Sequence, residues 1–166
     1  MLKLAASLIA AAAVAQPPAW IARAVPSPIV AWVETDVLGN HLPEGIAISS
    51  AGGAYFVGVA DSRVDPPKMV LDFDLARARP GSSVRWLRAG RLTGTAAKEI
   101  AVDVRLSRTG GEQAWILRVD RRRLRLLRAF AADRIRLTGD TVDLYWSGKH
   151  ETWRFERGAY RLVARG

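Results

Sequence analysis

Two stretches of this sequence carry ligand-type side chains at matched spacing. Asp36-x-x-Gly39-x-x-x-x-Glu44 and Arg91-x-x-Gly94-x-x-x-x-Glu99 each end in a glutamate that leads straight into apolar residues, Gly45-Ile46-Ala47-Ile48 in one and Ile100-Ala101-Val102 in the other. A loop of this kind is calcium chemistry when it offers several oxygen ligands on alternating residues and a carboxylate at its end. The first copy offers Asp36, Asn40 and Glu44, with Leu38 where an oxygen is wanted and His41 where a glycine would ease the turn. The second offers Arg91, Thr93, Thr95 and Glu99, and its leading positive charge repels a cation. There Arg91 either takes the place of the metal, its planar fork pairing with Glu99 or with loop carbonyls, or points to water. Gly94 and Glu99 then serve a structural joint.

Other chemistry is thinly represented. A nucleophilic serine needs an elbow such as G-x-S-x-G, or His and Asp partners, and neither His41 nor His150 stands near such a serine. Two distant histidines also fall short of a hydrolytic metal motif. Asp72 and Asp74 share a strand face and Asp61 and Asp65 precede them in a loop. That is the inventory of a carboxylate-pair hydrolase, although solvated faces and turn caps account for it equally. Gly90, Gly94 and Lys98 lack the ending of a phosphate loop and run into a strand. The most conspicuous surface feature is Arg118, Arg121, Arg122, Arg123, Arg125 and Arg128, centred on a turn, with Arg134 and Arg136 close behind. It reads as a patch for an anionic envelope polymer, phospholipid headgroups or an acidic protein, or as a charged edge that keeps sheets from pairing.

The chain that must position these residues has 166 of them and no cysteine, which excludes disulfides, thiolate zinc sites and a cysteine nucleophile. Residues 1–15, MLKLAASLIAAAAVA, combine Lys3, an apolar run and small residues at Ala13 and Ala15, the pattern of a secretory signal cleaved before Gln16. The run is shorter than the ~20 residues that span a bilayer, so the mature chain is expected outside the cytoplasm without a transmembrane span. The formal charge of +9 on the full sequence, which becomes 9 − 1 = +8 once Lys3 leaves with the signal, favours anionic polymers or lipid surfaces. Export makes nucleic acid a poor partner. Residues 16–27, with Pro17, Pro18 and Pro26, read as a Pro-rich linker in which Trp20 is exposed. Residues 28–166 form a single domain.

Within that domain, short alternating runs rich in β-branched and aromatic residues recur between turn signals spaced eight to twelve residues apart. Strands are expected at 29–37, 45–48, 55–60, 69–75, 84–86, 100–106, 114–119, 124–130, 135–137, 142–146, 152–155 and 160–163. Only 74–79 and 126–133 would also suit a helical turn. The fold class is therefore all-β, an antiparallel meander of short strands, with a sandwich or small barrel as alternatives. Trp32, Trp86, Trp115, Trp146 and Trp153 fall in or beside strands, where burial is the common fate.

The two loops are offset by 55 residues, and Arg136-Leu137-Thr138-Gly139-Asp140 echoes Arg91 to Gly94 a further 45 on, with Leu144 where the glutamate should be. Such periods belong to sheet repeats of the propeller kind. The frame resembles the FG-GAP-type repeat of secreted and cell-surface proteins, and Trp153-Arg154-Phe155-Glu156-Arg157-Gly158-Ala159-Tyr160 is similar to the hairpin that often ends such bacterial proteins. The resemblance implies incomplete propeller-like repeats, about three units being too few to close a propeller. It also implies a calcium loop, which the substitutions above remove from the second copy and leave only to Asp36, Asn40 and Glu44 in the first. No cofactor is otherwise expected. The function expected is an exported, non-catalytic module for binding or interaction at the cell envelope. The alternatives are a binder of anionic envelope polymer through the arginine patch and a hydrolase built on Asp61, Asp65, Asp72 and Asp74.

Overall fold

A computed structural model describes residues 16–120 and 123–166, so the expected signal and Arg121 and Arg122 lie outside the described residues. The chain folds into three four-stranded antiparallel sheets, each a meander in sequence order, and none closes on itself. The first holds β1 (Ile29–Thr35), β2 (Glu44–Ser49), β3 (Ala54–Asp61) and β4 (Lys68–Arg77). The second holds β5 (Ser83–Gly90), β6 (Glu99–Arg105), β7 (Glu112–Asp120) and β8 (Arg123–Ala132). The third holds β9 (Arg134–Thr138), β10 (Thr141–Trp146), β11 (Lys149–Glu156) and β12 (Ala159–Arg165). The two segments that would also suit a helical turn lie mainly within β4 and β8, where cross-strand pairing overrides local propensity.

Burial alternates by period two where a sheet keeps one face in water, as in β9, and is lost where both faces are covered, as in β2. Ile46, Ile48, Val57, Val59 and Leu71 turn one face of the first sheet onto Leu87, Ile100, Val102, Val104, Trp115 and Leu117 of the second. The other face of the second sheet, with Ala101, Ala114, Ile116 and Phe130, packs on Ile135, Leu137, Val142, Leu144, Phe155 and Tyr160 of the third. The second sheet is thus buried on both faces, which is why β6 and the centre of β7 are buried almost throughout. The two packings differ in kind. Strand β1 contacts β5 and β4 contacts β8, whereas the third sheet meets the second at β7 and β8, with β8 touching β9, β10 and β12.

The residues that read as linker do more than connect. Ala19–Ala24 form a short helix, α1, entered from Pro18. Its Ile21, fully buried, packs with Val25, Ala47 and Ala60 on the outer face of the first sheet, joined by half-buried Trp20. The apolar set Trp20, Ile21, Ala24 and Val25 has the spacing of one helical face. The sheet makes room for it with glycine: a Cβ on Gly45 would stand 2.6 Å from Ile21 Cγ1 and 2.8 Å from Trp20 Cη2. Gly45→Ala is therefore expected to push α1 off the sheet and lower stability by about 1–3 kcal/mol, the usual cost of overpacking. Denaturant unfolding and proteolytic cleavage near Arg23 measure it; an unchanged midpoint with unchanged protection of Arg23 would show that the cradle is not needed.

Candidate functional site

The two matched loops are built alike. In the first, Glu44 is buried and its Oε2 accepts hydrogen bonds from the backbone N–H groups of Val37 (2.9 Å) and Leu38 (3.1 Å). In the second, Glu99 Oε2 accepts from Leu92 (3.0 Å) and Thr93 (3.3 Å), the residues 55 positions on. Gly39 and Gly94 hold matching left-handed φ values of 75° and 71°, which glycine adopts without the Cβ clash other residues suffer. The turn between β9 and β10 has shrunk to Gly139 and Asp140, so the third copy keeps the connection and loses the loop.

What the carboxylates do in these loops decides the metal question. Asp36 Oδ1 accepts from Gly39 N (2.6 Å) and Asn40 N (3.2 Å), and its Oδ2 from His41 N (3.2 Å). Glu44 Oε1 accepts from Asn40 Nδ2 (2.6 Å). Lys98 of the second loop brings its ammonium to 3.0 Å from the Asp36 carbonyl and 3.8 Å from its carboxylate. Partial burial raises the Asp36 pKa, but the N–H groups of Gly39, His41 and Asn40 and the Lys98 charge outweigh it and hold the carboxyl below its ordinary value. N–H donors and an ammonium converge where a calcium ion would need bare oxygens, so Asp36, Asn40 and Glu44 do not fit the metal.

The second loop departs from one expectation and keeps another. Glu99 is fully buried and paired, but with Arg118 (3.1 Å), while Thr93 Oγ1 adds a hydrogen bond at 2.9 Å. Arg91 does not reach it: its side chain is exposed and makes no ion pair or hydrogen bond among the described residues. The expected pairing of Arg91 with Glu99 fails because the arginine of β7 already occupies the buried carboxylate from inside the sheet. The sequence held a signal for this, since Arg118 stands 55 residues after Arg63, which lies close enough to Glu44 to feel its charge but forks onto Asp61.

The arginine patch is divided by its surroundings. Arg118 lies beneath the third sheet, its guanidinium 5.3 Å from the Phe155 ring, and Arg128 sits 4.5 Å over Trp153. Arg123 and Arg125 are exposed on β8, and Arg121 and Arg122 lie outside the described residues. Of the hydrolase candidates, Asp61 is buried against Arg63, while Asp65, Asp72 and Asp74 are exposed. A cleft of about 660 Å³ opens instead between the two matched loops, and its acidic residues are Asp36 and Asp120.

One buried group escaped the sequence reading. Asp103 is 1 % exposed on the β6 face toward the third sheet, at the position where the first sheet carries Ile48, and neither of its oxygens has a donor among the described residues. Glu112, also buried, lies beside it and binds Ile135 N (2.7 Å), Arg105 (3.3 Å) and Arg85 (3.5 Å). Burial first, and the Glu112 charge second, outweigh Arg85 and Arg105 and push the Asp103 pKa from 3.8 up to about 8. That value favours the protonated form of Asp103 at neutral pH. No family model matches this sequence, and no curated protein matches it.

Two outcomes follow for stability. Arg118→Met should cost about 3–5 kcal/mol by leaving Glu99 buried without its counter-charge, and adding Glu99→Gln should return part of that loss; a double-mutant cycle by urea unfolding reads the coupling, and additive effects would refute it. For Asp103 the folded-state pKa lies above the unfolded one, so its contribution is intact below 3.8 and falls as pH rises to about 8. The slope is about 1.4 kcal/mol per pH unit. Asp103→Asn should flatten that limb, and parallel stability profiles for both proteins would contradict the assignment.

Proposed function

We propose that this is an exported, non-catalytic interaction module of the cell envelope that binds an anionic polymer through the outer face of its third sheet. The resemblance to FG-GAP-type, propeller-like repeats belongs in this reading to the first two sheets, whose loops share a carboxylate-tied frame. The observation that carries the function is the composition of that outer face. Arg134 and Arg136 alternate with buried Ile135 and Leu137 and so point away from the core, as does Arg154 between Trp153 and Phe155. Arg154 stands directly opposite Arg161 across the β11–β12 ladder. All four are exposed.

Like charges placed opposite one another repel. Asp143 is engaged by Thr152 Oγ1 (2.8 Å) and His150 Nε2 (3.4 Å), and exposed Glu156, two residues beyond Arg154, is a further carboxylate on this face. His150 in turn stacks on Tyr145 with ring centroids 4.6 Å apart. Arginines two residues apart on one strand repeat at roughly 7 Å, so a chain bearing regularly spaced phosphates or carboxylates meets several of them at once. Binding of this kind weakens with added salt as exposed charges are screened.

Co-sedimentation of the protein with its own envelope fraction, and with a purified polyanion, tests the reading against a charge-matched control. Arg154→Glu with Arg161→Glu should abolish binding at low salt, whereas Arg77→Glu with Arg79→Glu, an equal change of net charge on exposed residues elsewhere, should leave most of it. Equal losses in both variants would reduce the interaction to net charge and sink the proposal.

A further inference from the structure

The cleft between the matched loops has chemistry that the arginine face does not use. Its volume is that of a small-molecule site. Three cations line it, and two are already compensated: Lys98 by Asp36, and Arg63 by Asp61. Arg91 is the third, exposed and without a partner among the described residues. It stands at the head of its loop, the position that Asp36 holds in the first, and both residues face the same space. Asp120 adds a carboxylate at the end of β7, while Leu38, Ala96, Ala97 and Val119 give the walls an apolar component.

The walls are held rather than improvised. Glu44 and Glu99 fix the two loops from behind, Lys98 Nζ ties the second loop to the first, and Val119 N donates to the Lys98 carbonyl at 2.9 Å. A free guanidinium accepts a carboxylate in a bidentate fork. A facing carboxylate accepts hydroxyl hydrogens, and small apolar side chains suit the C–H surface of a sugar ring. We infer that this cleft is a binding site for a sugar acid of monosaccharide size, with Arg91 taking the carboxylate and Asp120 the hydroxyls. The site is separate from the arginine face of the third sheet and does not rest on it.

The test is a titration of isotope-labelled protein with glucuronate, followed through the backbone amides of residues 36–43 and 91–98. Saturable shifts in both loops are expected, with none from glucose, which shares the hydroxyls and lacks the charge. Inorganic phosphate should compete at least about tenfold more weakly than glucuronate. Arg91→Ala should weaken binding at least about tenfold, the scale of one charge-assisted hydrogen bond, and Arg91→Lys by less. Because Arg91 is exposed and unpartnered, both variants should keep the parent stability. The Arg154→Glu, Arg161→Glu protein should bind glucuronate like the parent, so loss of polymer binding and loss of sugar-acid binding are told apart. Absence of saturable shifts, equal response to glucose or to phosphate, or an unaltered affinity in Arg91→Ala would each overturn the inference.

Discussion

The interaction on which the rest depends is a glutamate, buried at the first residue of a strand, that gathers the N–H groups of the loop before it. An ionised carboxylate out of water is costly unless donors surround it, and Glu44 and Glu99 meet the requirement with the same two backbone positions. Each loop is thereby closed onto the strand it feeds. That closure sets the second loop close enough for Lys98 to reach Asp36, which joins two units 55 residues apart at the rim while apolar residues join them in the core. The loop frame that in a metal-binding repeat would surround a cation here surrounds donors, and the cation is a lysine.

From the same carboxylate the structure extends inward. Glu99 needs more than the loop supplies, and Arg118 provides it from β7 at the price of its own burial beneath the third sheet. The contact between the second and third sheets is in consequence a mixed one. Arg88 donates to the Leu137 carbonyl at 2.7 Å, Glu112 captures Ile135 N, and Asp103 occupies a position that is isoleucine in the first sheet. The contact between the first and second sheets is built largely from Ile, Val, Leu and Trp. An apolar interface tolerates sliding better than one whose buried polar groups must find named partners, so the polar set fixes how the third sheet lies across β8.

The parts of this fold that were legible in the sequence are those written in local pattern. All twelve strands announce themselves by alternation and by turn residues, and the repeated loop by its glycine and glutamate. The helix was hidden because Ala19 to Ala24 is six residues between prolines, too short for a helical period to stand out, and because its apolar face gains meaning only against Gly45 of a distant hairpin. Asp103 was hidden for the opposite reason. In Ile100-Ala101-Val102-Asp103-Val104 it sits where a one-sided sheet would put a solvated residue, and only the third sheet, packed on that face, takes it out of water. The partner of Glu99 required the ladder, since Arg118 faces it directly across β6 and β7.

The two outermost faces of the described sheets are finished in different ways. Repeated sheets bury their faces on their neighbours, and a terminal one needs either a cover or a face that water accepts. At the first sheet the cover is α1, seated on Gly45, whose equivalent 55 residues on is Ile100. At the third sheet Arg134, Arg136, Arg154 and Arg161 give the outer face charged side chains that water accepts. A neutral polar face of Ser and Thr would have met water as well. Setting Arg154 opposite Arg161 adds repulsion that exposure to water does not require, and it concentrates positive charge on that outer face.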